Sequence, residues 1–194
     1  MNESRARTER EESPMADATM TPELVAFVRQ QKDRQEIWEC MLRYTRGVDR
    51  GDKALMASAY HPDAWDDHAV ASASGEEFCD WALSFHAEFQ TKHQHMLTNH
   101  AVDLDGDVAH AETYYLFWGE NVEGPPIVGF GRYLDRLEKR DGIWAIAYRR
   151  CLIEKSGAFI ETERPADFDN TGPCRRDRRD VSYVRPLTRE TPNQ

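Results

Sequence analysis

The hydrophobic period of this chain changes once, and that change limits the folds open to it. Up to about Phe89 apolar residues recur at helical spacing; beyond it they alternate. "HQHMLTNHAVDL" (93–104) reads as one strand, closed by the turn "DGD", and "VAHAETYYLFW" (108–118) as a second, rich in strand-forming residues. "GPPIVGFGRYLDRLEKR" and "GIWAIAYRRCLIEK" are two more, joined at Asp141–Gly142, a hairpin signal. Helices followed by a run of antiparallel strands make an α+β pattern, with the helices packed on one curved sheet.

The helical half opens at "TPEL", with Thr21 as N-cap, Pro22 at the first helical position and Glu23 near the positive end. This helix is expected to run to about Arg50, with a break near Gln31–Asp33, and to end at Gly51. Asp52 begins a short second helix to about Tyr60, and "HPDAWDDHAV" supplies a turn and a short strand. A third helix spans Gly75 to about Phe89, with Phe78, Trp81, Ala82, Phe85 and Phe89 on one side. In the first helix Ile37, Trp38, Met41, Leu42 and Val48 form an apolar stripe. At roughly 100° per residue Asp49 falls about 20° from Trp38 and Leu42. A carboxylate on such a stripe is either the fraying end of the helix or a group with a partner.

Length and charge narrow the function. A chain of 194 residues is one domain by default, and its 25 basic against 35 acidic residues give a formal charge of −10, which disfavours a phosphate-binding groove. No nucleic-acid partner is expected, and "CRRDRRD" is interrupted by Asp177 and Asp180. Cys40, Cys79, Cys151 and Cys174 form no CxxC pair and read as reduced thiols. Residues 1–20 are charged and apolar-poor, a disordered extension that is neither signal peptide nor anchor. The expectation is a cytoplasmic protein with no membrane partner. Residues 21–155 form the domain. Residues 156–194 form an extended arm, seven basic against seven acidic residues, lying on its own domain or on a neighbour.

Histidines are the natural partners for Asp49. His93 and His95 alternate on one strand and share a face. An Asp–His pair in a dry pocket is a general acid/base device, because the carboxylate fixes the imidazole tautomer and stabilises the imidazolium. A metal set of His93, His95 and Glu112 is an alternative that lacks a further ligand at a recognisable spacing. On the strand 108–118 either His110, Glu112, Tyr114, Leu116 and Trp118 face inward, or Ala109, Ala111, Thr113, Tyr115 and Phe117 do; parity alone leaves this open. Arg149 and Arg150 face opposite ways, so only one of them can enter a cavity, there to hold a carbonyl or carboxylate or to pair with a buried acid; the alternative is that both guanidiniums lie near the sheet edge.

"RYTRGVDRGD", "YHPDAWDD", "KHQHMLTN" and "GRYLDRLEKRDGIWAIAYRR" occur in the order and spacing of the SnoaL-like proteins of the nuclear transport factor 2-like superfamily, a resemblance covering roughly residues 22–155. It implies a cone: a strongly bent antiparallel sheet wrapped by three N-terminal helices. In motif the chain is similar to scytalone dehydratase, bile acid 7α-dehydratase and hexachlorocyclohexane dehydrochlorinase, which eliminate across a carbon–carbon bond without metal or organic cofactor. The resemblance makes Asp49 and His95 the catalytic pair, with Tyr44 and Arg150 as hydrogen-bonding partners of the substrate. It turns His93, Tyr114, Leu116 and Trp118 toward the cavity, where Trp65 and Phe85 complete the expected walls. Where scytalone dehydratase has a second catalytic histidine this chain has Trp118. The implied activity is that of a cofactor-independent lyase or isomerase acting on a hydrophobic ring compound, a steroid or polycycle among them. The superfamily also implies a homo-oligomer, dimer or trimer. A different class is open too: the small subunit of ring-hydroxylating dioxygenases shares the fold and is not catalytic, and a carrier of small apolar ligands would keep the pocket alone.

Overall fold

The structure, a computed structural model, describes residues 20–160, 162, 174–189 and 191. The expected N-terminal extension lies almost entirely outside the described residues, as does much of the arm. Thr21 caps α1 (Pro22–Asp49), its Oγ1 accepting from the Leu24 N–H at 3.3 Å. No break occurs at Gln31–Asp33. Those polar residues are adequate helix formers, Lys32 pairs with Glu36 one turn on, and Asp33 accepts from Lys139 and the Trp144 indole. Gly51, at φ +61°, ends the helix where a side chain would be strained. Asp52 then caps α2 (Lys53–Ala57).

Two short strands, β1 (Tyr60–Asp67) and β2 (Ser72–Ser74), precede α3 (Gly75–Phe89), which opens on a reciprocal Ser74–Glu77 capping box. Four long strands follow: β3 (Gln90–Asp105), β4 (Val108–Asn121), β5 (Ile127–Arg140) and β6 (Ile143–Ala158). Asp141 and Gly142 both carry positive φ at the β5–β6 turn, as a two-residue hairpin requires.

The six strands lie in the order β2-β1-β6-β5-β4-β3. The α+β cone is the one the sequence led us to expect, with one difference: β1 runs parallel to β6, so the sheet is mixed. Extra residues interrupt the register within β3, β5–β6 and β1–β6, which lets long strands bend round the helices. The core lies between the concave face and the helices, around Ile37, Met41, Tyr44, Phe78, Tyr133 and Trp144.

A buried ion pair runs through this core. Arg149 donates from Nε and Nη2 to the two oxygens of Asp135, at 2.7 and 3.0 Å, and both side chains are fully inaccessible. Its guanidinium lies 4.1 Å from the Tyr44 ring centre and 4.2 Å from that of Tyr133. Burial opposes the charge, and Asp135, with the two tyrosine oxygens of Tyr60 and Tyr44 nearby, more than offsets it, holding the Arg149 pKa well above its ordinary value.

Gly47 marks the closest approach of α1 to α2, since a Cβ there would land against the Met56 backbone. Gly47→Ala is therefore expected to cost ~1–3 kcal/mol through overpacking. The measurement is a fall in the urea midpoint at unchanged slope.

Candidate active site

β3 is an edge strand, so N–H groups on its outer side need partners from outside the sheet. Asp49, the last residue of α1, is that partner for His95. The His95 backbone N–H donates to both carboxylate oxygens, at 3.1 and 2.9 Å, and its ring Nδ1–H donates to Oδ1 at 2.7 Å. A carboxylate only accepts, so Nδ1 carries a hydrogen, and in the neutral ring the lone pair is on Nε2. Both side chains are nearly buried. Asp49 sits at the margin of the apolar stripe, beside half-exposed Leu42, while Ile37, Met41, Tyr44 and Val48 take the core.

His93 braces this arrangement. Its Nε2–H donates to the carbonyl of Val48 at 3.1 Å, and its ring stacks on His86 at 4.2 Å. It therefore faces inward, as the shared face with His95 requires, and lies behind the cavity instead of lining it. Burial first, and the neighbouring His95 second, push its pKa down to about 4. His86 is pushed to about 2 by burial and by the other two imidazoles.

His95 opens onto a cavity of about 260 Å³ between the sheet and α3. Its walls are Tyr44, Phe78, Trp81, Phe85, Tyr115, Phe117 and Tyr133, with His68 and His86 among them. Of the expected walls, Phe85 is present, and Tyr44 reaches the cavity from α1.

The other expected residues point elsewhere. In an antiparallel pair directly opposed residues share a face, and His95 lies opposite Phe117. That puts Phe117, Tyr115 and Thr113 inside and turns Tyr114, Leu116 and Trp118 outward; Tyr114 is 39% exposed and lies near Arg132. Trp65 is 47% exposed and bonds Ser72, because its neighbours Ala64 and Asp66 take the inward positions on β1. Arg150 also faces out, reaching Asp67. Alternation counted from inward Trp144 and Ile146 would have brought Arg150 inside. The extra residue Ala147 flips the parity, so Arg149 and Cys151 enter instead.

Glu112 lies on the outer face in an ion pair with Arg132. Ligand atoms of Asp49, His93 and His95 do lie within 4.8 Å of one another. The two nitrogens nearest the carboxylate, however, are N–H donors, so ligation there would break both the Val48 and the Asp49 bonds. The donor set suits an acid/base pair better than a metal.

A profile of the SnoaL-like domain matches residues 29–150. The chain belongs to the SnoaL-like domain family. Among solved structures, the hexachlorocyclohexane dehydrochlorinase LinA-type3 from Novosphingobium barchaimii superposes with a TM-score of 0.66 at 21% identity, over 72% of this chain and 99% of that one. A scytalone dehydratase candidate from Novosphingobium aromaticivorans gives 0.61 at 18%, over 73% and 97%. An aromatic ring hydroxylase candidate from the same organism gives 0.60 at 22%, over 66% and 94%. At these identities the likeness is one of fold. No curated protein matches the chain. Among the described residues no helix is long and apolar enough to cross a membrane.

Sequence reasoning missed His68, His86, Tyr115, Phe117 and Tyr133 as cavity residues. His86 adjoins the aromatic face of α3 and could have been found there; the strand residues needed the register.

The depressed histidine pKa sets a sign for stability. Between the ordinary value of ~6.5 and about 4, the unfolded chain binds a proton at His93 that the folded chain does not. Stability is therefore full above that window and falls as pH drops through it. In thermal melts across this range, His93→Gln should lose less stability than the wild type, and identical slopes would refute the assignment.

Proposed function

We propose that this SnoaL-like protein is a cofactor-independent lyase or isomerase in which His95 removes a proton from carbon and Asp49 stabilises the imidazolium that forms. The observation that supports it is the 2.7 Å bond from His95 Nδ1 to Asp49, on a histidine that lines an apolar cavity. The carboxylate fixes the tautomer, and Nε2 is the base. Tyr44, on the same helix as Asp49, is the hydroxyl donor: burial, chiefly, holds its pKa well above the ordinary phenol value, so it stays neutral and can donate. Arg150 drops out of the mechanism because it faces away, and Arg149 acts only through the Tyr44 ring.

Cavity size narrows the substrate. About 260 Å³ lies just under the ~300–1,000 Å³ usual for small-molecule sites, which suits a compound of one or two rings better than a steroid. An open cavity also weighs against the non-catalytic subunit reading, which needs no such space. On the outer face Met96, Leu116 and Phe130 are cross-strand neighbours forming an apolar ladder, our choice for the surface of self-association. Leu116→Glu should then lower the mass seen by sedimentation, and an unchanged mass would remove that surface.

The catalytic reading is tested by exchange of α-hydrogens of 1-tetralone, a two-ring ketone, in D₂O, followed by proton NMR. The wild type should accelerate exchange. His95→Ala should lose ~10²–10⁴-fold with an unchanged circular dichroism spectrum, and Asp49→Asn should lose less. A near wild-type rate in His95→Ala would overturn the mechanism.

A further inference from the structure

Removing a proton from carbon leaves negative charge on the substrate, and Arg150, the cation the sequence offered to receive it, faces away. A second imidazole meets the same cavity from another wall. His68 follows β1, which stands four places from β3 in the sheet order, and both His68 and His95 line the cavity between them.

The surroundings of His68 fix its charge. Its Nδ1–H donates to Asp66 Oδ1 at 2.6 Å, and Tyr60 donates its hydroxyl to Asp66 Oδ2 at 2.5 Å. The Asp66 side chain is completely inaccessible, whereas His68 keeps 14% of its side chain exposed. The titratable groups packed around the pair are Tyr44 on α1, Tyr60 on β1, Cys79 on α3, Tyr133 and Asp135 on β5, and Arg149 and Cys151 on β6. Arg149 spends both of its bonded nitrogens' N–H groups toward carboxylate on Asp135. Of the two buried carboxylates, Asp135 has the guanidinium, and the basic group bonded to Asp66 is His68. Its ring is held flat on Phe78, centroids 4.5 Å apart.

We propose that His68 is the cationic end of the cavity, donating its Nε2–H to an acceptor oxygen of the bound compound while His95 meets the adjacent C–H. The ligand class is a one- or two-ring ketone. On proton removal the hydrogen goes to His95 Nε2, the electron pair moves to the carbonyl oxygen, and His68 holds the resulting enolate oxygen. This rests on the reading of His95 as the base. A neighbour of the His68 ring is the Cys151 thiol, a weak acceptor that a carbonyl oxygen outcompetes. Burial works against the His68 proton, and the bond to Asp66, with Cys151 second, more than offsets it, raising the pKa to about 9.

Binding alone tests this. By calorimetry at neutral pH, 1-tetralone should bind the wild type about tenfold or more tighter than tetralin, which has the same shape without the oxygen. The preference should weaken as pH rises through about 9, leaving only what the Tyr44 hydroxyl supplies. It should be weakened to that level at every pH in the double variant Asp66→Asn/His68→Leu, which removes the charge pair together. It should survive in Asp49→Asn. If the double variant does not fold, the wild-type pH series decides. Equal binding of the two compounds, no binding of either, or a preference undiminished by the pH rise or by the double substitution would overturn the assignment. A preference without hydrogen exchange would leave His68 in this role and remove His95 as base; exchange without a preference would do the reverse.

Discussion

The Arg149–Asp135 pair is the contact on which the interior is built. It joins β5 to β6 at directly opposed positions, and its guanidinium fills the space between the Tyr44 and Tyr133 rings while Nη2 reaches the Met41 sulfur of α1. Such a pair contributes little net stability against an apolar replacement, yet removing one partner strands a charge at a cost of ~3–5 kcal/mol. Its effect is to fix position. These contacts seat α1 with Tyr44 on the cavity. Just over one turn later the same helix delivers Asp49 to the edge strand.

Asp49 then answers a need of the backbone as well as of the side chain. The N–H of His95 would otherwise go unpaired by the sheet, and the carboxylate that satisfies it also fixes the imidazole. The described part of the arm reinforces this end of the helix. Arg50 donates to the Arg175 carbonyl and to Asp180, Arg178 reaches Asp52, and Arg176 donates to the carbonyl of His86 on α3. The described residues 174–180 thus bond to the ends of α1 and α3, and Arg176, Arg178 and Arg179 each hold a bond within the chain.

Neighbouring imidazoles differ in charge because their surroundings differ. His86 and His93 are packed against each other and against His95, so burial and mutual repulsion keep them neutral. His68 is buried as well, but beside a carboxylate that has no other cation to itself, and it keeps its proton. One cavity therefore meets a histidine held low and a histidine held high in pKa.

The sequence alone determined the order of elements, the caps at Thr21 and Asp52, the end at Gly51, and the shared face of His93 and His95. These follow from local sterics and from periods of 3.6 and 2, which act over a few residues. It also marked Asp49 as either a fraying helix end or a carboxylate with a partner, and the resemblance settled on His95. Tertiary structure alone decided which face of each strand is inside. Tyr115 and Phe117 line the cavity in place of Tyr114, Leu116 and Trp118 because His95 is registered opposite Phe117. Arg149 is buried and Arg150 exposed because one extra residue, Ala147, reverses the alternation of β6. Side-chain parity in a strand depends on every residue between it and a fixed point, so a single bulge made by distant pairing overturns what local pattern can supply.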